Sequence, residues 1–503
     1  MPETVPGPVL RLEGITKRFG AQLANDDIGF ALHQGEVIAL LGENGAGKTT
    51  LMNILFGHYT ADEGTVEVMG HPLPPGQPRA ALAAGVGMVH QHFTLADNLT
   101  VAENILLGTR PLWRLGQGDA RTRIRALATR FGLEVDPDAR VADLAVGQRQ
   151  RVEILKALWR DARILILDEP TAVLTPQETD ALFRTLRLAV AEGLAIVFIS
   201  HKLREVLAVS DRVLVLRHGR LVGEVRTRDT DRHELARLMV GADLPTPEIP
   251  PAPEGPPFLE LRAVAAPSLG PIDLTLTGGR ITGLAGVSGN GQAALADLIA
   301  GALAPTSGEL LLAGRPAGRD WSPRAALAAG IGRIPEDRHR TGSVAAMTLT
   351  ENAILEAYRR PPFSRRGWID WRAATAFAAG IIRGYDVRCP GPDTRISLLS
   401  GGNMQKLILG RALSADPRII LANQPTRGLD VGAVAYVHAR LLAARASGAA
   451  ILLISEDLDE VQALADEIRV ISSGRLSPAF PRGTASQAEL GAWMAGHGFD
   501  HAA

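Results

Sequence analysis

The run Gly42-Glu43-Asn44-Gly45-Ala46-Gly47-Lys48-Thr49 has the spacing G-x-x-x-x-G-K-[ST], and it follows a short apolar segment. Phosphate chemistry explains the residue types. Glycines at Gly42, Gly45 and Gly47 let backbone N–H groups curl around phosphate oxygens without Cβ interference. Asn44 and Thr50 complete the cradle, and a helix beginning there adds partial positive charge at its N-terminus. Lys48 would reach the β- and γ-phosphates, and the Thr49 hydroxyl would ligate Mg²⁺. A glycine-rich surface turn can match this spacing by chance. The strand before it and the helical run Thr50–Leu55 after it argue for the functional reading.

A second constellation is Ile164-Leu165-Ile166-Leu167-Asp168-Glu169-Pro170-Thr171. Two acids at the end of an apolar strand are costly to bury without a positive partner. Mg²⁺ supplies one: Asp168 would hold it, and Glu169 would polarise an attacking water. Taken alone, such a pair serves equally well as a helix N-cap. Downstream of a phosphate loop, the catalytic reading is preferred.

These residues need elements to position them. Glu36–Leu41, Arg163–Asp168 and Ala195–Ser200 are near-continuous β-rich apolar runs alternating with helical patterns. Buried parallel strands with helices on both faces read this way, and ligands then sit at the carboxyl ends of the strands. The expected fold class is α/β, with a mostly parallel sheet core and a helical subdomain in each of two tandem domains.

Duplication is visible in the sequence. Arg79–Gly87 returns as Arg324–Gly332, Thr100-Val101-Ala102-Glu103-Asn104 as Thr348-Leu349-Thr350-Glu351-Asn352, and Asp211…Gly219-Arg220-Leu221 as Asp466…Gly474-Arg475-Leu476. Matches in one order at nearly one offset mean a duplicated domain, not a solenoid. Residues 241–257 carry seven prolines and read as a semi-rigid linker between domains at 9–240 and 258–497.

Composition bounds the function classes. The chain has 503 residues, 46% of them apolar and 21% charged, which suits more than one globular domain. A net charge of −1 gives no bulk attraction to nucleic acid or anionic lipid. Cys389 is the single cysteine, which excludes an intrachain disulfide and a thiolate metal cluster. Neither a signal peptide nor an apolar run long enough to span a bilayer is read, so a membrane role is expected to run through partners.

Taken in order, the phosphate loop, Gln91 within Val89–Phe93, the run Leu144–Arg151, the Asp168–Glu169 pair and His201 resemble the motif set of ABC ATPases. The resemblance covers both copies and nearly the whole chain. It implies that Gln91 senses Mg²⁺ and the membrane partner, that His201 contacts the γ-phosphate, and that Phe19 stacks on adenine. It also implies ATP with Mg²⁺ as the ligand.

The second copy departs from the pattern. Gly286-Val287-Ser288-Gly289-Asn290-Gly291-Gln292-Ala293 has glutamine for lysine and alanine for the metal-ligating hydroxyl. The acid pair becomes Asn423-Gln424, and Glu336 and Glu456 stand where Gln91 and His201 are expected. Yet Ser400-Gly401-Gly402 keeps a good signature, and Arg427-Gly428-Leu429-Asp430 keeps the loop aspartate. In the first copy the signature starts at Ala145, and Ala172–Thr175 has no aspartate. Neutral decay of a redundant copy would also have eroded Ser400, Gly402 and Asp430.

Tandem fusion with a degenerate second loop resembles the ATPase subunits of bacterial ribose, galactose and nucleoside importers. The stretches Val89–Phe93 and Ile334–His339 lean to the nucleoside group. The resemblance implies integral-membrane permease subunits and an extracytoplasmic solute-binding protein as partners, no nucleic acid, head-to-tail pairing of the two domains, and a place on the cytoplasmic face of the inner membrane. A soluble twin-ABC protein acting on ribosomes or nucleic acid is the alternative. Such proteins keep two competent sites and a long charged helical linker, unlike this chain. A non-hydrolysing sensor is disfavoured by Lys48, Asp168, Glu169 and His201.

Overall fold

The computed structural model describes residues 7–20, 22–43, 45–90, 93–109, 117–171, 174, 176–200, 202–241, 249, 255–318 and 320–499. Asn44, Gln91, His201, Thr175 and most of the proline-rich linker lie outside the described residues. Two compact units divide the chain, one of Met1–Pro245 with Asp430–Gly432 and one of Thr246–Leu429 with Ala433–Ala503.

In the first unit the strands are β1 Leu10–Phe19, β2 Gln22–Leu32, β3 Val37–Gly42, β4 Glu63–Val68, β5 His71–Pro72, β6 Val86–Val89, β7 Ile164–Asp168, β8 Ala195–Ile199, β9 Arg212–Arg217 and β10 Arg220–Arg226. The α-helices are α1 Lys48–Leu55, α2 Pro78–Ala83, α3 Val101–Leu106, α4 Gln117–Arg130, α5 Val146–Trp159, α6 Pro176–Ala191, α7 Leu203–Val209 and α8 Arg232–Val240. The central sheet runs β10-β9-β3-β8-β7-β6, parallel except at β10.

All residues of β3, β7 and β8 are buried, because both faces of this sheet are covered. Side chains alternate between two cores. Ile38, Leu40, Ile166 and Val197 pack with α1 and a second sheet. Ala39, Leu41, Leu165 and Phe198 pack with Ile105, Ile154 and Leu186 of the helical layer. That second sheet, β2-β1-β4-β5, is antiparallel and was not expected from the sequence. Register shifts between Leu12 and Ile15 and again before Lys17 break its period-two pattern.

The second unit repeats the plan. Its strands are β11 Pro257–Ala266, β12 Leu269–Thr277, β13 Ile281–Ala285, β14 Ser307–Leu312, β15 Arg315–Pro316, β16 Ile331–Ile334, β17 Ser364–Arg365, β18 Trp368–Ile369, β19 Ile419–Asn423, β20 Ala450–Ser455, β21 Glu467–Ser472, β22 Arg475–Leu476 and β23 Phe480–Pro481. Its α-helices are α9 Gln292–Ile299, α10 Pro323–Ala328, α11 Leu349–Ala353, α12 Trp371–Gly384, α13 Gly401–Leu413, α14 Val431–Ala446, α15 Leu458–Leu464 and α16 Gln487–Met494. The sheets run β12-β11-β14-β15 and β16-β19-β20-β13-β21-β22.

The repeated T-x-x-E-N stretch has a structural cause. Thr100 with Glu103, and Thr348 with Glu351, form capping boxes that start α3 and α11. Asn104 and Asn352 are buried, and each carboxamide holds the loop ahead of its helix. Asn104 Oδ1 accepts from Ala96 N–H at 2.8 Å, and Asn352 Oδ1 from Val344 N–H at 2.9 Å. Gly241, in the left-handed region at φ 82°, closes α8.

Candidate active site

The fully buried β3 ends at Gly42 and delivers the phosphate loop to the N-terminus of α1. Gly45 and Gly47 have φ of 85° and 102°, where a side chain is strained. Gly47 has no room for one either: a Cβ there would lie 2.3 Å from Ala24 O and 2.6 Å from Asn25 Nδ2. Asn25 Nδ2 in turn donates to Gly47 O at 3.1 Å, which pins the loop to β2. Lys48 folds into the loop, with Nζ donating to Gly42 O at 2.5 Å and to Glu43 O at 2.9 Å. Thr49, one residue on, is exposed.

Charge at this site is unbalanced. Burial lowers the Lys48 pKa, and the nearby Glu169 and Asp168 carboxylates pull it back. Burial raises the Asp168 pKa, Glu169 raises it further, and Lys48 opposes both. Two carboxylates thus face one ammonium in a poorly solvated place, a donor set that a divalent cation completes. Among the described residues no group of three or more His, Cys, Asp or Glu side chains could hold a metal by itself. Mg²⁺ takes one or two protein carboxylates and fills its shell with phosphate and water. Asp168 and Thr49 are the residues that would hold it.

Glu169 occupies the left-handed region at φ 46°, uncommon for a non-glycine residue, and its N–H donates to Ile199 O at 3.0 Å. Strained backbone of this kind gathers at functional positions. A buried carboxylate braces the surroundings: Glu205 Oε2 accepts from the Thr171 hydroxyl and, at 3.2 Å, from Ser200 Oγ. Ser200 Oγ also accepts from Lys202 N–H at 3.0 Å. Glu205 therefore ties the segment after the acid pair to the end of β8, next to position 201. Sequence reasoning missed it. Its repetition as Glu460, with Ser455 and Thr426, was the available signal.

Phe19 is half exposed, edge-on to Tyr59 at 5.7 Å, with Lys17 Nζ 5.6 Å from its ring. At the end of β6, His90 stacks on His58 with centroids 6.0 Å apart, and burial with that neighbour keeps its pKa low. Beside it lies a cavity of about 130 Å³ lined by Phe56, Leu82, His90, Thr94, Glu153 and Arg160. Glu153 is buried and accepts from Thr94 N–H at 2.5 Å and Thr94 Oγ1 at 2.9 Å, which anchors the chain beyond position 91.

In the second unit the backbone persists and the charges are gone. Gly289 and Gly291 have φ of 89° and 113°, and Gln424 has φ 49° with its N–H on Ile454 O at 2.8 Å. Gln292 occupies its own loop: Nε2 donates to Val287 O at 2.7 Å, and Oε1 accepts from Asn290 N–H at 3.1 Å. Asn423 is buried, and its Oδ1 has no hydrogen-bond partner among the described residues. Glu336 is ion-paired to Arg427. The signature is well formed. Ser400 is the N-cap residue of α13, with Oγ accepting from Asn403 Nδ2 at 2.9 Å, and it is exposed. Asp430 directly precedes α14.

Comparison with known proteins agrees with this geometry. The family described as ABC transporter matches residues 25–172 and 269–427. The glucose import ATP-binding protein of Haloferax volcanii is 43% identical, with 98% of this chain and 96% of that protein covered. The nucleoside import ATP-binding protein of Lactococcus lactis subsp. cremoris is 42% identical, with 97% and 98% covered. An archaeal ribosome recycling factor, solved with a ribosomal stalk protein, is 17% identical at a TM-score of 0.63, covering 96% of this chain and 92% of that one. At that identity the last likeness speaks for the fold alone.

Proposed function

The chain belongs to the ABC transporter family, and from that premise we propose that it is the ATP-hydrolysing subunit of an importer for nucleosides, with simple sugars as the second reading. MgATP is the substrate. Lys48 and the loop amides bind the β- and γ-phosphates, Thr49 and Asp168 hold Mg²⁺, and Phe19 stacks on the base. Glu169 orients a water for attack on the γ-phosphorus and accepts its proton as the bond to the leaving oxygen breaks. Gln91 and His201 complete this first-unit set, with Gln91 reporting the permease state.

The carrying observation is how intact and altered groups segregate. If the domains work head to tail, one site combines Lys48, Thr49, Asp168, Glu169 and His201 with Ser400, Gly401, Gly402 and Asp430. Every part is intact. The other combines Gln292, Ala293, Asn423, Gln424 and Glu456 with Ala145 and Thr175, and nearly every part is altered. Random loss would not sort by composite site.

Among the described residues no helix is long and apolar enough to cross a membrane. We place the chain peripherally on the cytoplasmic face of the inner membrane, bound to permease subunits, with an extracytoplasmic solute-binding protein in the assembly. The nucleoside preference rests on Val89–Phe93 and Ile334–His339, and the names of the relatives support both cargo classes. Uptake of radiolabelled nucleosides and sugars in cells lacking the chain tests the proposal. Lost nucleoside uptake is expected. Lost sugar uptake with nucleoside uptake unchanged moves the cargo to sugars, and co-purification with ribosomes instead of an integral membrane protein overturns the importer reading.

A further inference from the structure

The loop of the second unit that corresponds to the Gln91 segment does not resemble a relic. Asp337 Oδ1 accepts from the N–H groups of His339 and Arg340, both at 2.9 Å, giving the segment a fixed turn. Ser343 Oγ donates to Arg338 O at 2.7 Å. From this turn Arg338 reaches across its own unit. Nη1 donates to Arg427 O at 2.9 Å, and Nη2 lies 3.4 Å from Gly428 O, in the loop that leads to Asp430. The same guanidinium lies against the signature. A Cβ built on Gly401 would sit 3.2 Å from Nη2 and 3.3 Å from Cζ of Arg338, and one on Gly428 would sit 3.2 Å from Nη2. Glu336, the neighbour that replaced the glutamine, pairs with the Arg427 side chain.

One planar cation therefore reaches the Gly428 carbonyl and fills the space beside Gly401, one glycine in each of the two segments that this unit lends to the intact site. Arg suits the place because its flat fork can rest against glycine while donating in fixed directions, which a lysine ammonium cannot do. The first unit lacks the counterpart: Phe93 stands at the position of Arg338, and Val146 at that of Gly401.

We infer that Arg338, supported by the Glu336–Arg427 pair, is a positioning residue for hydrolysis in the other unit's site. It holds the signature Ser400–Gly402 and the Asp430 loop as one rigid wall. The loop of the degenerate unit that holds Glu336 and Arg338 thus serves as a brace. This rests on the head-to-tail reading above. A wall displaced by about 1 Å from the reacting phosphate can cost on the order of 10²-fold in rate. A wall that nucleotide does not need for its first attachment leaves initial binding alone.

The test uses the full chain in its permease complex, measuring kcat, KM and MgATP binding for Arg338→Ala, Arg338→Lys, Ser400→Ala, Glu336→Arg, Arg427→Glu and the double swap. We expect Arg338→Ala to lower kcat about ten- to a hundredfold with MgATP binding within about threefold. Lysine should not rescue it. Each single swap should cost a few-fold, and the double swap should recover activity, as coupled neighbours do. Trapped ATP in the Glu169→Gln background should fall when Arg338→Ala is added, a readout that stays valid if the thermal midpoint also drops. Near wild-type kcat in Arg338→Ala with a sharp loss in Ser400→Ala overturns this inference and leaves the composite site standing. If Ser400→Ala is also silent, the composite site itself falls.

Discussion

The two phosphate loops share a backbone and differ in chemistry. Both place glycines in the left-handed region, at Gly45 and Gly47 and at Gly289 and Gly291. Both fold the next side chain inward onto loop carbonyls, and both are followed by a residue of unusual φ, Glu169 or Gln424. In one loop that side chain is an ammonium facing two carboxylates. In the other it is a carboxamide that also consumes the Asn290 N–H, with Asn423 and Gln424 in place of the acids. The scaffold is therefore separable from the reaction. Backbone that carries strands and turns has been retained, while Gln292, Ala293, Asn423 and Gln424 stand in the second unit where the first has Lys48, Thr49, Asp168 and Glu169.

The comparison breaks most sharply at the acid pair and the loop lysine. Losing one preorganised group at a developing charge costs roughly 10²–10³ in rate. Lys48→Ala and Glu169→Gln should each abolish turnover in a folded protein. Lys48→Ala should also weaken MgATP, whereas Glu169→Gln should retain it and trap a closed state. Steady-state hydrolysis with equilibrium nucleotide binding reads both, and near wild-type turnover in either variant refutes the assigned role.

Next in size is the pair of signature changes. Ser400→Ala should lower hydrolysis sharply in the permease complex, and Ala145→Ser should barely change it. The reverse result would mean that the intact half-sites do not work together.

Acidification should act on Asp168 in a direction fixed by its environment. Its folded pKa is raised by burial and by Glu169, so between the ordinary carboxylate value and that raised value the folded chain binds more protons than the unfolded one. Stability from this group then falls as pH rises through that window, and the charged form above it is the one that takes Mg²⁺. MgATP affinity should accordingly decline on acidification at a higher pH than an exposed aspartate would give. Asp168→Asn should lose that pH dependence together with turnover, without lowering the unfolding midpoint of the ligand-free chain at neutral pH. Isothermal titration across pH, with thermal melts, checks both parts.

The smallest effect sharpens the contrast. Gln292→Lys should leave hydrolysis unchanged, because Gln424 still provides no carboxylate base. A measurable second activity would show that the lysine alone was limiting.

Much of this was legible in the sequence for local reasons. β3, β7 and β8 were visible because both faces of their sheet are buried, which makes their runs continuously apolar. The duplicated T-x-x-E-N stretches were visible because a capping box and a buried asparagine need fixed spacing. The antiparallel sheet was not, since its bulges erase the alternation that marks a half-buried strand. Glu205, Glu153 and Arg338 were missed for another reason. The partners of Glu153 and Arg338, namely Thr94, Gly401 and Gly428, lie far along the chain, and nothing in the flanking residues advertises them. Glu205 was marked only by its repetition as Glu460. At the site itself, the types and order of Lys48, Asp168 and Glu169 announced the chemistry, but not the left-handed backbone under Glu169.

The self-occupied loop at Gln292 has a consequence for how the molecule ages in a cell. A ligand that binds only the native form adds RT ln(1 + [L]/Kd) to stability, about 2.7 kcal/mol at a hundredfold excess over Kd. The first unit, whose Lys48 ammonium rests on loop carbonyls, should draw on that term whenever nucleotide is plentiful. The second unit has satisfied its loop donors with its own carboxamide, without any ligand. When nucleotide is scarce that added stability is lost, so the chain should be cleaved faster by protease without MgATP than with it.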